Sequence, residues 1–484
     1  MPLTTLSALG DSLQSLAQPQ SGKSGVFLLS DALDAFAARV QLADAAEQTL
    51  DVQYYIWHND MSGTLLLDAL RRAADRGVRV RLLLDDNNTV GLDAVLAALN
   101  THDNISVRLF NPFKFRRWRG LGYLTDFTRL NRRMHNKAFI ADGHVTIIGG
   151  RNIGDEYFGA SREMMFVDLD VLAVGPVVAD VARDFELYWR SESAHPAERV
   201  LPPVEPESIA DVALAARRIG HQSTTKAYTD ALADSTCIED LLAGRLELEW
   251  ATTRLVSDDP AKGLGRAAAR NFLWERLKRI LNAPTRELYL ISPYFVPTST
   301  GTKFFTALAQ QGVKATVLTN SLEATDVAAV HAGYAKRRKA LLEAGITLYE
   351  IKRGAAPPPP PRRNRTRGRK WRRSSSSSLH AKTFAVDGAR VFIGSYNFDP
   401  RSAQLNTEIG VVIDSPTMAQ VMADVFASRI PTRAYRVRIA ASGALEWVEQ
   451  TDAGEVVHSR EPHATWWRRV VVWVMSVLPI EWLL

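Results

Sequence analysis

Met134-His135-Asn136-Lys137-Ala138-Phe139-Ile140-Ala141-Asp142-Gly143, running on to Gly149-Gly150-Arg151-Asn152, decides how this chain is read, because the chain contains it twice. The second copy is Leu379-His380-Ala381-Lys382-Thr383-Phe384-Ala385-Val386-Asp387-Gly388, running on to Gly394-Ser395-Tyr396-Asn397. His, Lys, Asp and Asn are each displaced by 245 positions, so one register holds over eighteen residues. A repeat of that fidelity implies two copies of one structural unit.

The spacing has a chemical meaning. His and Lys two positions apart lie on the same face of an extended strand, so an imidazole and an ammonium point together. The apolar residues before Asp142-Gly143 and Asp387-Gly388, and those after them (Thr146, Ile147, Ile148; Val391, Phe392, Ile393), predict a buried hairpin with its turn at Asp-Gly. Gly149-Gly150 and Gly394-Ser395 would let the backbone approach a ligand, with Asn152 and Asn397 offering amide donors just beyond. A phosphodiester is anionic, so cleavage needs its charge neutralised and its leaving alkoxide protonated. Lys137, Lys382, Asn152 and Asn397 suit the first task through charge-assisted hydrogen bonds. One of His135 and His380 can attack phosphorus while the other serves as acid and then base, and residue types leave that order open. No metal or cofactor is called for. Asp85-Asp86 and Asp155-Glu156 have no His or further acid at ligand spacing and read as strand-end turns and caps. His58, His144, His195 and His331 read as structural.

The two copies resemble the HxKxxxxD...GxxN signature of the phospholipase D superfamily, both copies being complete. Further stretches are similar to bacterial cardiolipin synthases of the C type: Tyr54-Tyr55-Ile56-Trp57-His58, Ala74-Asp75-Arg76-Gly77-Val78-Arg79-Val80, Arg132-Arg133-Met134-His135-Asn136-Lys137, Gly149 through Phe158, and the ending Leu478-Pro479-Ile480-Glu481-Trp482-Leu483-Leu484. The resemblance implies His135 as nucleophile and His380 as acid and base. It also implies that Asp168, 33 residues past His135, and Glu408, 28 past His380, orient the imidazoles. Asp142 and Asp387 complete the catalytic signature, although their place after a buried strand predicts that they stabilise the hairpin rather than touch substrate. The reaction implied is transfer of a phosphatidyl group to phosphatidylglycerol, from phosphatidylethanolamine or phosphatidylglycerol, through a phosphohistidine. The alternatives are a hydrolase of the phospholipase D type and a metal-independent nuclease of the same superfamily.

Bulk composition bounds these readings. A chain of 484 residues suits two domains, and 46% hydrophobic residues can bury real cores. The lone Cys237 excludes an intramolecular disulfide and a thiolate metal cluster. Eight basic residues lie between Arg362 and Arg373; removing them from the net charge of +6 leaves −2, so nucleic acid is a poor candidate partner for the chain as a whole.

In chain order, 1–24 reads as a loose arm and 25–200 as the first domain. A linker with helical pieces follows at 201–240, then the second domain at 241–440, and 441–484 forms a C-terminal extension. Leu50–Ile56, Thr64–Asp75, Gly77 and Val78–Leu84 predict a βαβ unit, echoed by Leu288–Ile291, a helix near 303–311, Gly312 and Val313–Thr319. The expected fold is therefore α/β: two tandem phospholipase D-type α/β/α sandwich domains related by a pseudo-two-fold. Trp57, Tyr294 and Phe295 at strand ends are candidates to line an acyl chain. Asn111–Arg133 interleaves aromatic and basic residues; it either lies on an anionic lipid surface or near the site entrance, or packs its aromatics down and faces its charges to water. Residues 357–378, with a proline run, the basic cluster and five serines, predict an extended low-complexity insert. Val470–Ile480 is too short to span a bilayer but, bordered by Trp466-Trp467-Arg468-Arg469, fits an interfacial anchor; a tail docked on the protein's own core competes. With no signal peptide evident, a peripheral protein of the bacterial inner membrane, contacting an anionic surface, is expected.

Overall fold

The computed structural model describes residues 8–18, 20–159, 165–220, 225–354, 377–478 and 481. Most of the low-complexity insert, the first seven residues and the end of the tail lie outside them. The described residues divide into two compact units. The first takes residues up to 159, 169–275 and 405–411; the second takes 165–168, 276–404 and those from 412 onward.

The strands of the first unit are β1 (Ser24–Leu29), β2 (Thr49–Ile56), β3 (Arg79–Asn88), β4 (Ile105–Phe110), β5 (Ala138–Ala141) and β6 (Val145–Gly149). After β7 (Met165–Val167), which belongs to the second unit, come β8 (Asp170–Val174), β9 (Ala194–Pro196) and β10 (Glu249–Ser257). They pair in the order β9-β4-β3-β2-β5-β6-β8-β1-β10, with β2, β3 and β4 parallel and every other pairing antiparallel. The helix Met61–Asp75 makes the expected crossover from β2 to β3. It starts three residues before the predicted Thr64 because the Asp60 carboxylate caps it through the Gly63 N–H.

The second unit repeats the plan. Its strands β11 (Glu287–Ile291), β12 (Lys314–Asn320), β13 (Thr347–Ile351), β14 (Ser377–Leu379), β15 (Lys382–Val386) and β16 (Arg390–Gly394) include a parallel trio, β13-β12-β11, followed by the antiparallel hairpin β15-β16. That is the order β4-β3-β2-β5-β6 over again, so the duplication covers a whole half-sheet. Beyond β13 the strands Ala434–Ile439, Leu445–Thr451 and Gly454–His458 add an antiparallel meander.

The hairpins form because their apolar strands are buried and their turns have the right residues. Asp142 and Gly143 sit at φ 50° and 69°, and Asp387 and Gly388 at 55° and 63°. Both central positions are thus left-handed, as a two-residue turn between twisted strands requires. Each aspartate then fixes its hairpin to the neighbouring strand. Asp142 accepts from the N–H groups of Glu47, Gln48 and Thr49 at 2.8–3.0 Å. Asp387 does the same for Thr285, Arg286 and Glu287.

Three regions are more specific than the sequence reading. Within the arm, Ala8–Ala17 is a helix with Leu9 and Leu13 buried. The expected linker carries the helices Ile209–Gly220, Lys226–Asp234 and Cys237–Leu242, which pack on Ala32–Ala45 and Met61–Asp75. Val212, Ala216, Tyr228, Ala231, Ile238 and Leu241 recur at helical spacing and are buried, so this segment is a layer of the first unit. The tail helix, Trp466–Val477, lies along the helix Ala328–Glu343. Its Val472 packs with Leu322, Ala332 and Ala464, while Trp466, Trp467, Val470, Trp473, Val474 and Val477 are exposed. Just before it, burial would raise the Glu461 carboxyl, but His331 and Arg338 hold it down at about 2.

Replacing Asp142 by Ala leaves three strand-end N–H groups without their acceptor and is expected to lower unfolding free energy by about 2 kcal/mol in urea titration. Partial burial raises the Asp387 carboxyl, but the backbone N–H groups of Arg286, Glu287 and Thr285 outweigh it and hold the carboxyl below its usual range. Its contribution should be complete above the unfolded carboxylate value of about 4 and be lost as pH falls through the lower folded value. A melting series from neutral to acid pH, compared with Asp387→Asn, measures it.

Candidate active site

In the first unit, the chain entering β5 is held on both sides. The N–H of Met134 donates to Asp85 at the end of β3 (2.7 Å), and the N–H of His135 donates to the Thr407 carbonyl (2.9 Å). Thr407 returns a bond from its own N–H to the Arg133 carbonyl, so segment 405–411 is built in as a short parallel partner. This delivers Glu408, whose Oε2 lies 2.8 Å from Nδ1 of His135 with both groups buried. Nδ1 donates to the carboxylate, which places the lone pair on Nε2, the nitrogen that must react.

Behind Glu408 stands a second carboxylate. Asp258 accepts from the Glu408 N–H (2.9 Å), the Leu273 N–H (2.7 Å) and the Lys262 ammonium (2.9 Å), while its own N–H donates to the Glu408 carbonyl. Burial pushes the Asp258 carboxyl up to about 6, against the pull of Lys262. Lys137 donates to the His135 carbonyl (2.6 Å) and lies 5.3 Å from the centroid of the Tyr55 ring, whose edge meets the His135 imidazole at 4.8 Å between centroids. Asn152 accepts from the Ile56 N–H at 3.2 Å, and its Nδ2 is buried with no partner among the described residues. An orphaned buried donor is a poor structural choice and a good anion ligand.

The second unit assembles a parallel set. β14 pairs with β7, bringing Asp168 to His380, with Oδ2 2.5 Å from Nδ1. Asn320, at the end of β12, accepts from the Leu379 N–H (3.0 Å) and donates to its carbonyl (3.1 Å), the place that Asp85 has beside Met134. Lys382 donates to the His380 carbonyl and also lies 2.9 Å from Nδ1. One nitrogen cannot donate to Asp168 and accept from Lys382 together; the shorter carboxylate contact sets the tautomer. Asn397 leaves its side-chain oxygen without a partner among the described residues.

All ten predicted residues are placed, with corrections. The carboxylates are exchanged relative to their sequence neighbours: Glu408 serves His135 and Asp168 serves His380. Asp142 and Asp387 bind strand ends, as their position implied. Gly149 is required by its own sheet, since a Cβ there would lie 2.3 Å from the Asp170 carboxylate and 2.6 Å from the Leu169 carbonyl. Trp57 and Phe295 are buried core residues, and Tyr294 donates to Asp326. His58, Asp60 and Glu156 do come together, their ligand atoms within 4.8 Å, although sequence spacing separates them. There Asp60 caps a helix and accepts from the Asp155 N–H, and Glu156 pairs with His58 at 3.1 Å. Tyr55, Asp85, Asp258, Lys262 and Asn320 were not foreseen as parts of the site.

Fold and site define a duplicated phospholipase D-like enzyme, and comparisons agree. A family model described as cardiolipin synthase, PLD-like domain, matches residues 40–189 and 277–430. Cardiolipin synthase C of Escherichia coli (strain K12) is 50% identical over 98% of this chain and 99% of its own length. A cardiolipin synthase of Listeria monocytogenes is 26% identical over 83% of this chain and 68% of its own. Among solved structures, phosphatidylserine synthase from Haemophilus influenzae Rd KW20 superposes with a TM-score of 0.60 at 13% identity, covering 98% of this chain and 100% of its own, a likeness of fold. The chain belongs to the cardiolipin synthase family of the phospholipase D superfamily.

If Glu408 and Asp168 set the imidazole tautomers, Glu408→Gln and Asp168→Asn should each lower kcat by about a hundredfold or more with KM little changed. Steady-state kinetics on the folded variants reads this.

Proposed function

We propose that this chain is a phosphatidyltransferase that makes cardiolipin. The observation that supports it most is the presence of two complete His-Lys sets, each imidazole backed by a buried carboxylate, in a chain of this family. The substrate class comes from the relative that shares half its residues over full length.

In the proposed reaction, Nε2 of His135 attacks the phosphorus of a phosphatidyl donor, phosphatidylethanolamine or phosphatidylglycerol. An N–P bond forms and the headgroup P–O bond breaks. His380, entering protonated, gives its proton to the departing alkoxide. Neutral His380 then takes the proton from a hydroxyl of phosphatidylglycerol, whose oxygen attacks the phosphohistidine and restores His135. Protons and bonds balance without an external reagent. Lys137, Lys382, Asn152 and Asn397 hold the phosphoryl oxygens, where charge accumulates as the attacking and leaving groups pass. Glu408 and Asp168 keep each imidazole oriented and favour its cationic form when charge develops.

The tail completes the reading. Its helix docks by Val472 and turns three tryptophans and three valines outward, the amphipathic pattern of a peripheral membrane anchor. No described helix is long and apolar enough to cross a membrane. We place the protein at the inner membrane surface on this helix.

Purified protein given labelled phosphatidylglycerol with phosphatidylethanolamine, and separately single-stranded DNA, tests the reaction. Cardiolipin should form and vanish in His135→Ala; DNA cleavage without a lipid product would establish the nuclease instead. For the tail, Trp466→Ser/Trp467→Ser/Trp473→Ser should shift the protein from the membrane pellet to the supernatant while activity on detergent-dispersed lipid persists. Unchanged partition would remove the anchor.

A further inference from the structure

The segment between β4 and β5 reverses the usual arrangement of charge and oil. Four of its arginines turn inward. Arg116 forms ion pairs with Asp86 and Asp93, at 2.8 Å to the former. Arg119 bonds the Asp86 carbonyl at 2.8 Å, Arg129 pairs with Asp126 at 2.7 Å, and buried Arg133 pairs with Asp85 at 3.1 Å. The large apolar side chains face out. Phe115, Trp118, Leu121, Leu124 and Phe127 fall at every third position and are 48%, 67%, 49%, 82% and 44% exposed.

The crest is held in place from beneath. Phe113 and Leu130 are buried under it, the Tyr123 hydroxyl donates to Asn87, and Phe113 and Tyr123 meet edge to face. A Cβ at Gly122 would lie 2.9 Å from Leu130, so the short helix Arg119–Thr125 seats closely. Buried ion pairs are costly to build. Here Asp86 draws Arg116 and Arg119 inward beneath a ridge whose apolar side chains face the outside.

What covers the ridge follows from its charge. Residues 111–133 contain seven Lys and Arg against one Asp, and counting Asp85, Asp86 and Asp93 beneath them brings the carboxylates to four. Three positive charges remain in excess. Lys114, its side chain 74% exposed, stands at the foot of the ridge. Leucines at the middle of the ridge with Leu124 the most exposed, aromatics at both ends and a surplus of cations match an anionic phospholipid surface: hydrocarbon at the centre, rings at the headgroup level and ammonium on phosphate.

We propose that Phe115–Phe127 is a membrane-inserting crest of the first unit, separate from the tail helix, which seats the enzyme in a bilayer containing anionic phospholipid. This rests on the reading of the chain as a phospholipid-transforming enzyme. Seven residues of chain separate Phe127 from His135, so the inserted element and the nucleophile belong to one continuous run.

The test uses the full chain. Leu121→Ser/Leu124→Ser is compared with wild type for flotation on vesicles of phosphatidylglycerol and phosphatidylethanolamine, and for transfer on those vesicles against transfer with short-chain phosphatidylglycerol below its micellar concentration. Flotation and vesicle turnover should fall at least tenfold, short-chain turnover should stay within twofold, and vesicles lacking phosphatidylglycerol should bind wild type weakly. Brominated acyl chains should quench part of the emission of Trp466→Ser/Trp467→Ser/Trp473→Ser protein that remains on vesicles, and adding Trp118→Phe should remove that part. Unchanged flotation, an equal loss on both substrates, or a change of oligomeric state in place of a change in flotation would overturn the crest. Wild-type flotation and quenching without phosphatidyl transfer would retain the crest and defeat the proposed reaction.

Discussion

The bond between each imidazole and a buried carboxylate constrains everything around it. Glu408 has no exposed side-chain surface, and neither has Asp168. An ionised carboxylate is tolerated there only if its oxygens and its backbone are held, because an unpaired buried charge costs several kcal/mol. The first unit meets that cost through neighbouring chain. Asp258 holds Glu408 by main-chain bonds in both directions, Lys262 compensates Asp258, and Thr407 splints the strand that carries His135. Each imidazole therefore depends on a segment distant in sequence: 405–411 for His135, and 165–168 for His380. Neither half of the chain carries a complete imidazole–carboxylate pair by itself.

The duplication keeps what the strand geometry demands and varies what surrounds it. Both copies retain the Asp-Gly turn, the carboxylate on three strand-end N–H groups and a side-chain acceptor for the residue before the histidine. That acceptor is Asp85 in one copy and Asn320 in the other. The difference is explained by what lies beside it. Asp85 faces buried Arg133 and can carry charge, although burial raises its carboxyl; Asn320 is bonded to the Leu379 and Pro293 carbonyls, which require a neutral donor.

Much of this was legible from local pattern. The 245-residue displacement announced two units, and the alternation of His and Lys with the apolar run before Asp-Gly announced the hairpins. The turn residues carried their own evidence, since both central positions need positive φ. The carboxylates were recognisable, but sequence proximity does not say which histidine each serves, because strand order is set by long-range packing. Asp258 and Lys262 gave no signal: an Asp and a Lys four apart are ordinary in any surface helix, and only burial makes them a support. The region 201–240 reads as a linker with helical pieces because its opening is rich in proline; its helical apolar spacing packs those pieces onto the first unit. The cluster of His58, Asp60 and Glu156 was hidden for the same reason as the carboxylate exchange.

Composition was least informative where aromatic and basic residues alternate. Residues 111–133 fit a lipid-facing ridge or a packed-down loop equally well as letters, because the direction of each side chain depends on partners elsewhere. Arg116 is drawn inward onto buried Asp86 and part-exposed Asp93, and Phe115, Trp118, Leu121, Leu124 and Phe127 are left on the outside. The tail helix reaches a related result by another route, docking a narrow stripe at Val472 and leaving its tryptophans outward. Exposing such surfaces to water is unfavourable by about 25 cal/mol per Å² of apolar area, and folding alone gives no return for it. A headgroup phosphate must reach a fixed nucleophile while its acyl chains remain in hydrocarbon, so an enzyme acting on it gains by carrying its own apolar footing close in sequence to that nucleophile. The cation excess beneath the ridge then favours membranes whose lipids are anionic, which is also the charge of the acceptor in the proposed reaction.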